Sequence, residues 1–141
     1  MKHKKISIFI ILFLLSASFA NGEEFHDFDK DSRIEDLSPP IRCFFYAAAQ
    51  NDSNALLTCF SDKVFVNIAG MQFNGLEEVA AFAERDIWGG KYKIEKVFKQ
   101  GNKEIVHCRF WPKGWSSAEP PIEYQFQTIK GKIISWYGKY R

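Results

Sequence analysis

The chain has 141 residues, 26% of them charged, with 19 Lys and Arg against 17 Asp and Glu for a formal net charge of +2. Its lysines are scattered rather than gathered in a stripe, which argues against a nucleic-acid partner. No two of its three cysteines stand two or three residues apart, which excludes a zinc knuckle or a CxxC redox motif.

The first segment reads as an export signal. Met1-Lys2-His3-Lys4-Lys5 is basic, and an apolar run from Ile6 to Phe19 follows, broken only by Ser7, Ser16 and Ser18. Small residues close it at Ala17-Ser18-Phe19-Ala20, as a signal peptidase requires. A spanning helix needs about 20 apolar residues, and this run is shorter. Residues 1–20 are therefore expected to be removed after Ala20, leaving a secreted or periplasmic protein with no membrane association. Removal takes Lys2, Lys4 and Lys5 and no acid, so 16 basic and 17 acidic residues remain, net −1. The apparent positive excess belongs to the discarded segment.

Residues 21–37 form an acidic arm, and the domain proper is expected over 38–141. Asp27-Phe28-Asp29-Lys30-Asp31 lacks the glycine and the closing glutamate of a calcium loop. Ser38-Pro39-Pro40 starts a helix, with serine as cap and proline in the first turn. Ile41, Phe44, Phe45 and Ala48 share one face of it. Asn51-Asp52-Ser53 ends that helix and caps a second, Asn54 to Phe60, so the two make a hairpin. Cys43 and Cys59 lie eight residues either side of its midpoint near residue 51, where a disulfide is geometrically reasonable; two buried thiols are the alternative.

Val64 to Ile68 reads as a strand and Met71 to Phe73 as an edge piece. Asn74 caps a third helix, Gly75 to Trp88, with Glu77 placed for a capping box and Gly89-Gly90 ending it. The period then changes to two. Strands are expected at Lys91–Gln100, Lys103–Trp111, Pro121–Ile129 and Lys132–Tyr140, the last pair joined at Lys130-Gly131. Helices followed by an antiparallel meander give an α+β domain.

Four phrases then resemble a known family. They are Ala48-Ala49-Gln50-Asn51-Asp52, the run Leu57 to Val66, the run Phe73 to Phe82, and Lys130-Gly131-Lys132-Ile133-Ile134. In this order and spacing they resemble the nuclear transport factor 2-like (NTF2-like) superfamily, particularly its SnoaL-like branch, over about residues 38–140. The resemblance implies a cone in which three helices and a strongly curved, mostly antiparallel sheet enclose one pocket. It also implies frequent homodimerisation through the outer face of the sheet.

Relatives resembling ketosteroid isomerase use an aspartate base after the first strand, a tyrosine from the first helix and a protonated late-strand acid. The corresponding positions here are Ile68 or Asn67, Phe44, and Glu123 or Tyr124, so two of the three roles have no suitable side chain. His107 with Glu123 or Tyr124 is the remaining candidate for acid/base work, as an isomerase, lyase or cyclase would need. Two histidines beyond the signal and scattered acids do not supply a metal site, and no cofactor is expected. With 14 Phe, 5 Tyr and 4 Trp, the positive signal is aromatic. Phe44, Asn67, Ile68, Trp88, Trp111 and Tyr124 are the candidate pocket residues, for a small apolar or amphipathic ligand. A non-catalytic dimerisation module is the further alternative.

Overall fold

The structure, a computed structural model, describes residues 32–141. The expected signal peptide and residues 21–31 of the arm lie outside the described residues. The compact unit runs from Ser32 to Arg141, so it takes in the end of the arm. Ser32–Asp36 is a 3-10 turn, and Ile34 and Leu37 are buried at 0% and 3% exposure. Those two apolar side chains anchor a segment whose charge alone reads as solvated.

Three helices follow one another along the chain: α1 (Pro39–Ala49), α2 (Ser53–Cys59) and α3 (Gly75–Asp86). They pack on a sheet of six strands: β1 (Phe60–Ile68), β2 (Met71–Asn74), β3 (Lys91–Gln100), β4 (Lys103–Trp111), β5 (Ile122–Ile129) and β6 (Lys132–Tyr140). The spatial order is β2-β1-β6-β5-β4-β3. Only β1 and β6 run parallel; every other pairing is antiparallel. The sheet does not close into a barrel, and the fold is α+β.

Local chemistry explains most boundaries. Asp52 caps α2, its Oδ1 accepting from the Ala55 N–H at 3.0 Å. Lys130 and Gly131 both have positive φ, 52° and 78°, as a two-residue primed turn between β5 and β6 demands. Two expected caps form differently. Ser38 makes no side-chain cap; instead its N–H donates to the buried Glu104 carboxylate on β4, 3.0 Å away. At α3 the carboxylate reaching back to the Asn74 N–H belongs to Glu78, at 2.9 Å, rather than Glu77. The first strand begins at Phe60 instead of Val64, because Phe60 pairs with Ile133 of β6 before a bulge restores the register at Phe65. That pairing joins distant segments and leaves no local periodicity.

Alternation sorts the sheet into two faces. Val106, Cys108 and Phe110 of β4 and Ile122, Tyr124 and Phe126 of β5 face the helices and are buried. Trp136 of β6, opposite Phe126, is fully buried at the centre. Its ring centroid is 4.7 Å from that of Phe44 on α1. It also stacks on Phe60 and Phe126, at 6.0 and 6.2 Å. The other face carries Glu123, Gln125 and Gln127 of β5 with their neighbours on β4 and β6.

A disulfide joins Cys43 of α1 to Cys59 of α2, with Cα atoms 5.7 Å apart and a sequence separation of 16. Closing a loop of that size removes unfolded-chain entropy worth about 3 kcal/mol. The double variant Cys43→Ser/Cys59→Ser is expected to unfold roughly 10 °C lower or more in a calorimetric scan. Reduction of the wild-type protein should give the same shift.

Candidate functional site

Along β6 the helix-facing residues are Trp136, Gly138 and Tyr140, a large side chain, none, and a large one again. The step at Gly138 lets neighbouring side chains pack directly on the strand. A Cβ there would meet Ile68 Cδ1 and Tyr124 Cε1, both at 2.9 Å. Beside these two side chains lies a cavity of about 460 Å³, between the sheet, the end of α3 and the β4–β5 loop. Phe82, Phe110, Ile122 and Tyr124 line it and are 2–5% exposed, so they make its floor and walls. Met71, Trp115 and Tyr140 also line it but are 44%, 57% and 49% exposed, which puts them at the mouth.

The β4–β5 loop is held in place by its own backbone. Trp115 N–H donates to Pro112 O at 3.0 Å, and Gly114, at φ +83°, supplies the left-handed residue that such a turn needs at its third position. Glu119 N–H donates to Phe110 O at 2.8 Å, closing the loop at its base. These bonds hold the stretch as one wall of the cavity.

Polar groups lie beside the cavity and at its mouth. Tyr124, which lines it, has its hydroxyl 2.7 Å from that of Tyr92, which does not. Burial holds both phenols well above their ordinary pKa, so they stay protonated. The pair has two protons and uses one between its members. Cys108, beside them on the inner face, is buried, and burial pushes its thiol well up, so it is no nucleophile. At the mouth, Asp86 is held by the Arg85 guanidinium through two contacts, Nε at 3.0 Å and Nη2 at 2.7 Å. The Glu119 carboxyl lies beside the Tyr140 hydroxyl. Partial burial raises its pKa, the Tyr140 hydroxyl opposes this, and the nearby Asp86 charge adds to the rise.

Of the candidate pocket residues, Ile68, Trp88 and Tyr124 line the cavity. Phe44 lies beneath it, fully buried against Trp136. Asn67 points to the other face and accepts from the Gly70 N–H at 3.2 Å, stabilising the β1–β2 turn. Trp111, next to the inward Phe110, faces away as well and does not line the cavity. His107 and Glu123 meet as the sequence allowed, His107 Nε2 and Glu123 Oε1 lying 2.9 Å apart across β4 and β5. They meet on the outer face, with the cavity behind the sheet. Glu123 is further held by Gln125 at 2.8 Å and Lys139 at 3.7 Å. Its carboxyl lies below the usual range, chiefly through Gln125. This is a stabilising network, not an acid/base pair serving the cavity. Sequence reasoning missed Phe82, Phe110, Glu119, Gly138 and Tyr140. The small Gly138 between Trp136 and Tyr140 is the one signal, and it marks the close approach of Ile68 and Tyr124 beside the cavity. Among the described residues, no group of three or more His, Cys, Asp and Glu could hold a metal ion.

No protein-family model and no curated protein matches the chain by sequence. Solved structures match it in fold. A Sinorhizobium meliloti protein, provisionally assigned as a polyketide cyclase, aligns at a TM-score of 0.65 and 19% identity over 75% of this chain and 98% of that one. An NTF2-like protein from Cytophaga hutchinsonii aligns at 0.63 and 18% identity, covering 72% of this chain and 87% of its own. A Mycobacterium tuberculosis protein in complex with estradiol-17beta-hemisuccinate aligns at 0.64 and 17% identity, over 74% and 95% of the two chains.

A carboxyl whose pKa is raised on folding favours the folded state below its unfolded pKa, and that contribution is lost as pH rises through the folded pKa. Ionised Glu119 is therefore a liability at neutral pH. Glu119→Gln is expected to raise Tm at pH 7 by a few degrees at most. The gap should close as pH falls through the carboxylate range, read by thermal scans from pH 7 to pH 3.

Proposed function

We propose that this chain, whose fold is that of the NTF2-like superfamily, is an exported protein that holds a small apolar or amphipathic molecule in its cavity. The observation that carries this reading is the open cavity of about 460 Å³, walled by aromatic side chains with Asp86, Glu119 and Tyr140 among its polar lining. Small-molecule sites commonly span about 300–1,000 Å³ and combine apolar walls with a few fixed polar groups. The Mycobacterium tuberculosis neighbour, seen with an elongated amphipathic molecule, supports the idea that a cavity of this fold accepts such shapes. Fold likeness alone does not assign a ligand; the lining of this cavity supports the class.

The same lining favours binding over catalysis. The position from which isomerase-like relatives present their base corresponds to Ile68 or Asn67, and neither side chain can abstract a proton at neutral pH. His107 and Glu123 are separated from the cavity by the sheet, and Asp86 is already neutralised by Arg85. Export is supported by the basic start, apolar run and small-residue close of residues 1–20. It is also supported by the Cys43–Cys59 disulfide, since such bonds persist outside the cytosol.

Titration of the purified protein with estradiol and with a neutral single-chain amphiphile such as decyl glucoside tests binding. Trp88 and Trp115 line the cavity, so their fluorescence should shift to the blue, and Tm should rise with ligand concentration. Tyr140→Ala, which removes a half-exposed ring from the mouth of the cavity, should weaken binding about tenfold, or about 1.4 kcal/mol. The absence of any fluorescence or Tm response across the series would overturn the reading. Export predicts that the chain, expressed in a bacterial host, is recovered from outside the cytoplasm with Asn21 as its first residue. Mass measurement checks this, and an intact Met1 would refute it.

A further inference from the structure

Resting on that reading, we propose that the cavity selects amphiphiles with a positively charged head, such as an amine or quaternary ammonium, placed at the mouth between Glu119 and the rings of Trp88, Trp115 and Tyr140. Four of the charged groups around the mouth already have partners or point elsewhere. Arg85 and Asp86 close on each other at 2.7 Å. Lys139 leans to Glu123 on the outer face, 3.7 Å away. Arg141 pairs with Glu95 at 3.2 Å. Two charges are left. Lys113 is exposed and lays its aliphatic stem against Gly89, so its ammonium is well hydrated and screened. Glu119 is half-buried, fixed by its backbone bond to Phe110, and has no cation within ion-pair distance among the described residues.

That difference in burial decides the sign of the site. A charge pair formed in water is worth little, whereas one formed with a partly desolvated carboxylate is stronger. A ligand cation gains at Glu119, while a ligand anion gains little at the hydrated Lys113. The aromatic lining acts in the same direction. Ring faces carry negative potential and attract cations within about 6 Å, most strongly for Trp. Tyr140 contributes its ring, which lines the cavity beside Glu119. Tyr124 and Phe82 behind them leave room for an apolar tail.

Tail-matched probes test the assignment below their micelle concentrations. Decyltrimethylammonium, decanoate and decyl glucoside are titrated into the purified protein at pH 7 by calorimetry and tryptophan fluorescence. The expected result is a Kd for the cation at least tenfold below that for the anion. Glu119→Gln should erase the preference, read as the ratio of the cation and anion Kd values, and Glu119→Asp, which keeps the charge on a shorter arm, should retain part of it. Raising ionic strength should weaken only the cation. Decanoate binding as tightly as the cation, or Glu119→Gln keeping the preference, would overturn the assignment and leave the binding reading standing. Failure of all three probes would overturn both.

Discussion

The contact on which the molecule depends is the one between Phe44 and Trp136. It ties the first helix to the last strand across nearly the full length of the domain, with ring centroids 4.7 Å apart. Phe60 and Phe126 stack on either side of Trp136, and Phe82 brings in α3 at 5.8 Å. Every helix therefore meets the sheet through, or next to, one indole. Large buried rings stabilise by area and by edge-to-face geometry. This cluster uses both, since Phe44 meets Phe45 and Phe60 at interplanar angles of 78° and 77°. The Trp136 N–H has no partner among the described residues, so the hub holds by packing alone.

The cavity borders the same strand. Two residues beyond Trp136 the inward position is Gly138, and two further it is Tyr140. Gly138 lets Ile68 and the Tyr124 ring close onto the strand, and the cavity lies beyond them, with both residues in its lining. The end of α3 covers part of the cavity with Ile87, which is buried, and Trp88, which is half-buried. The β4–β5 loop covers another part. What remains open is an aromatic cleft next to a rigid core, the arrangement in which a ligand binds without the fold having to rearrange.

Much of the architecture was legible because it is local. Apolar periodicity placed all three helices and the four long strands, Lys130-Gly131 placed the last hairpin, and the spacing of Cys43 and Cys59 about residue 51 allowed the disulfide. The misses share a physical cause. Glu78 displaces Glu77, Glu104 takes the Ser38 N–H, and Phe60 joins β1 through partners far along the chain. Ile34 and Leu37 are buried in an acidic segment for the same reason. The sequence left His107 with either Glu123 or Tyr124, because a period of two cannot fix the register between strands or say which face is inside. Trp111 and Asn67 were misassigned on that point. Glu119, in a loop with no period at all, carried no signal.

The two faces of the sheet then treat their charges in opposite ways. On the outer face Glu123 is surrounded by donors from His107, Gln125 and Lys139, so its ionised form is favoured by folding. At the mouth Glu119 has one neutral hydroxyl beside it, a neighbouring like charge and partial burial, so its ionised form is disfavoured. A carboxylate of the first kind stabilises the protein that bears it. One of the second kind weakens it until a cation arrives, and such uncompensated groups concentrate where proteins bind or react. The chain places its satisfied acid on the side without the cavity and its unsatisfied acid at the opening. That asymmetry, more than the cavity volume, gives this site a chemical preference.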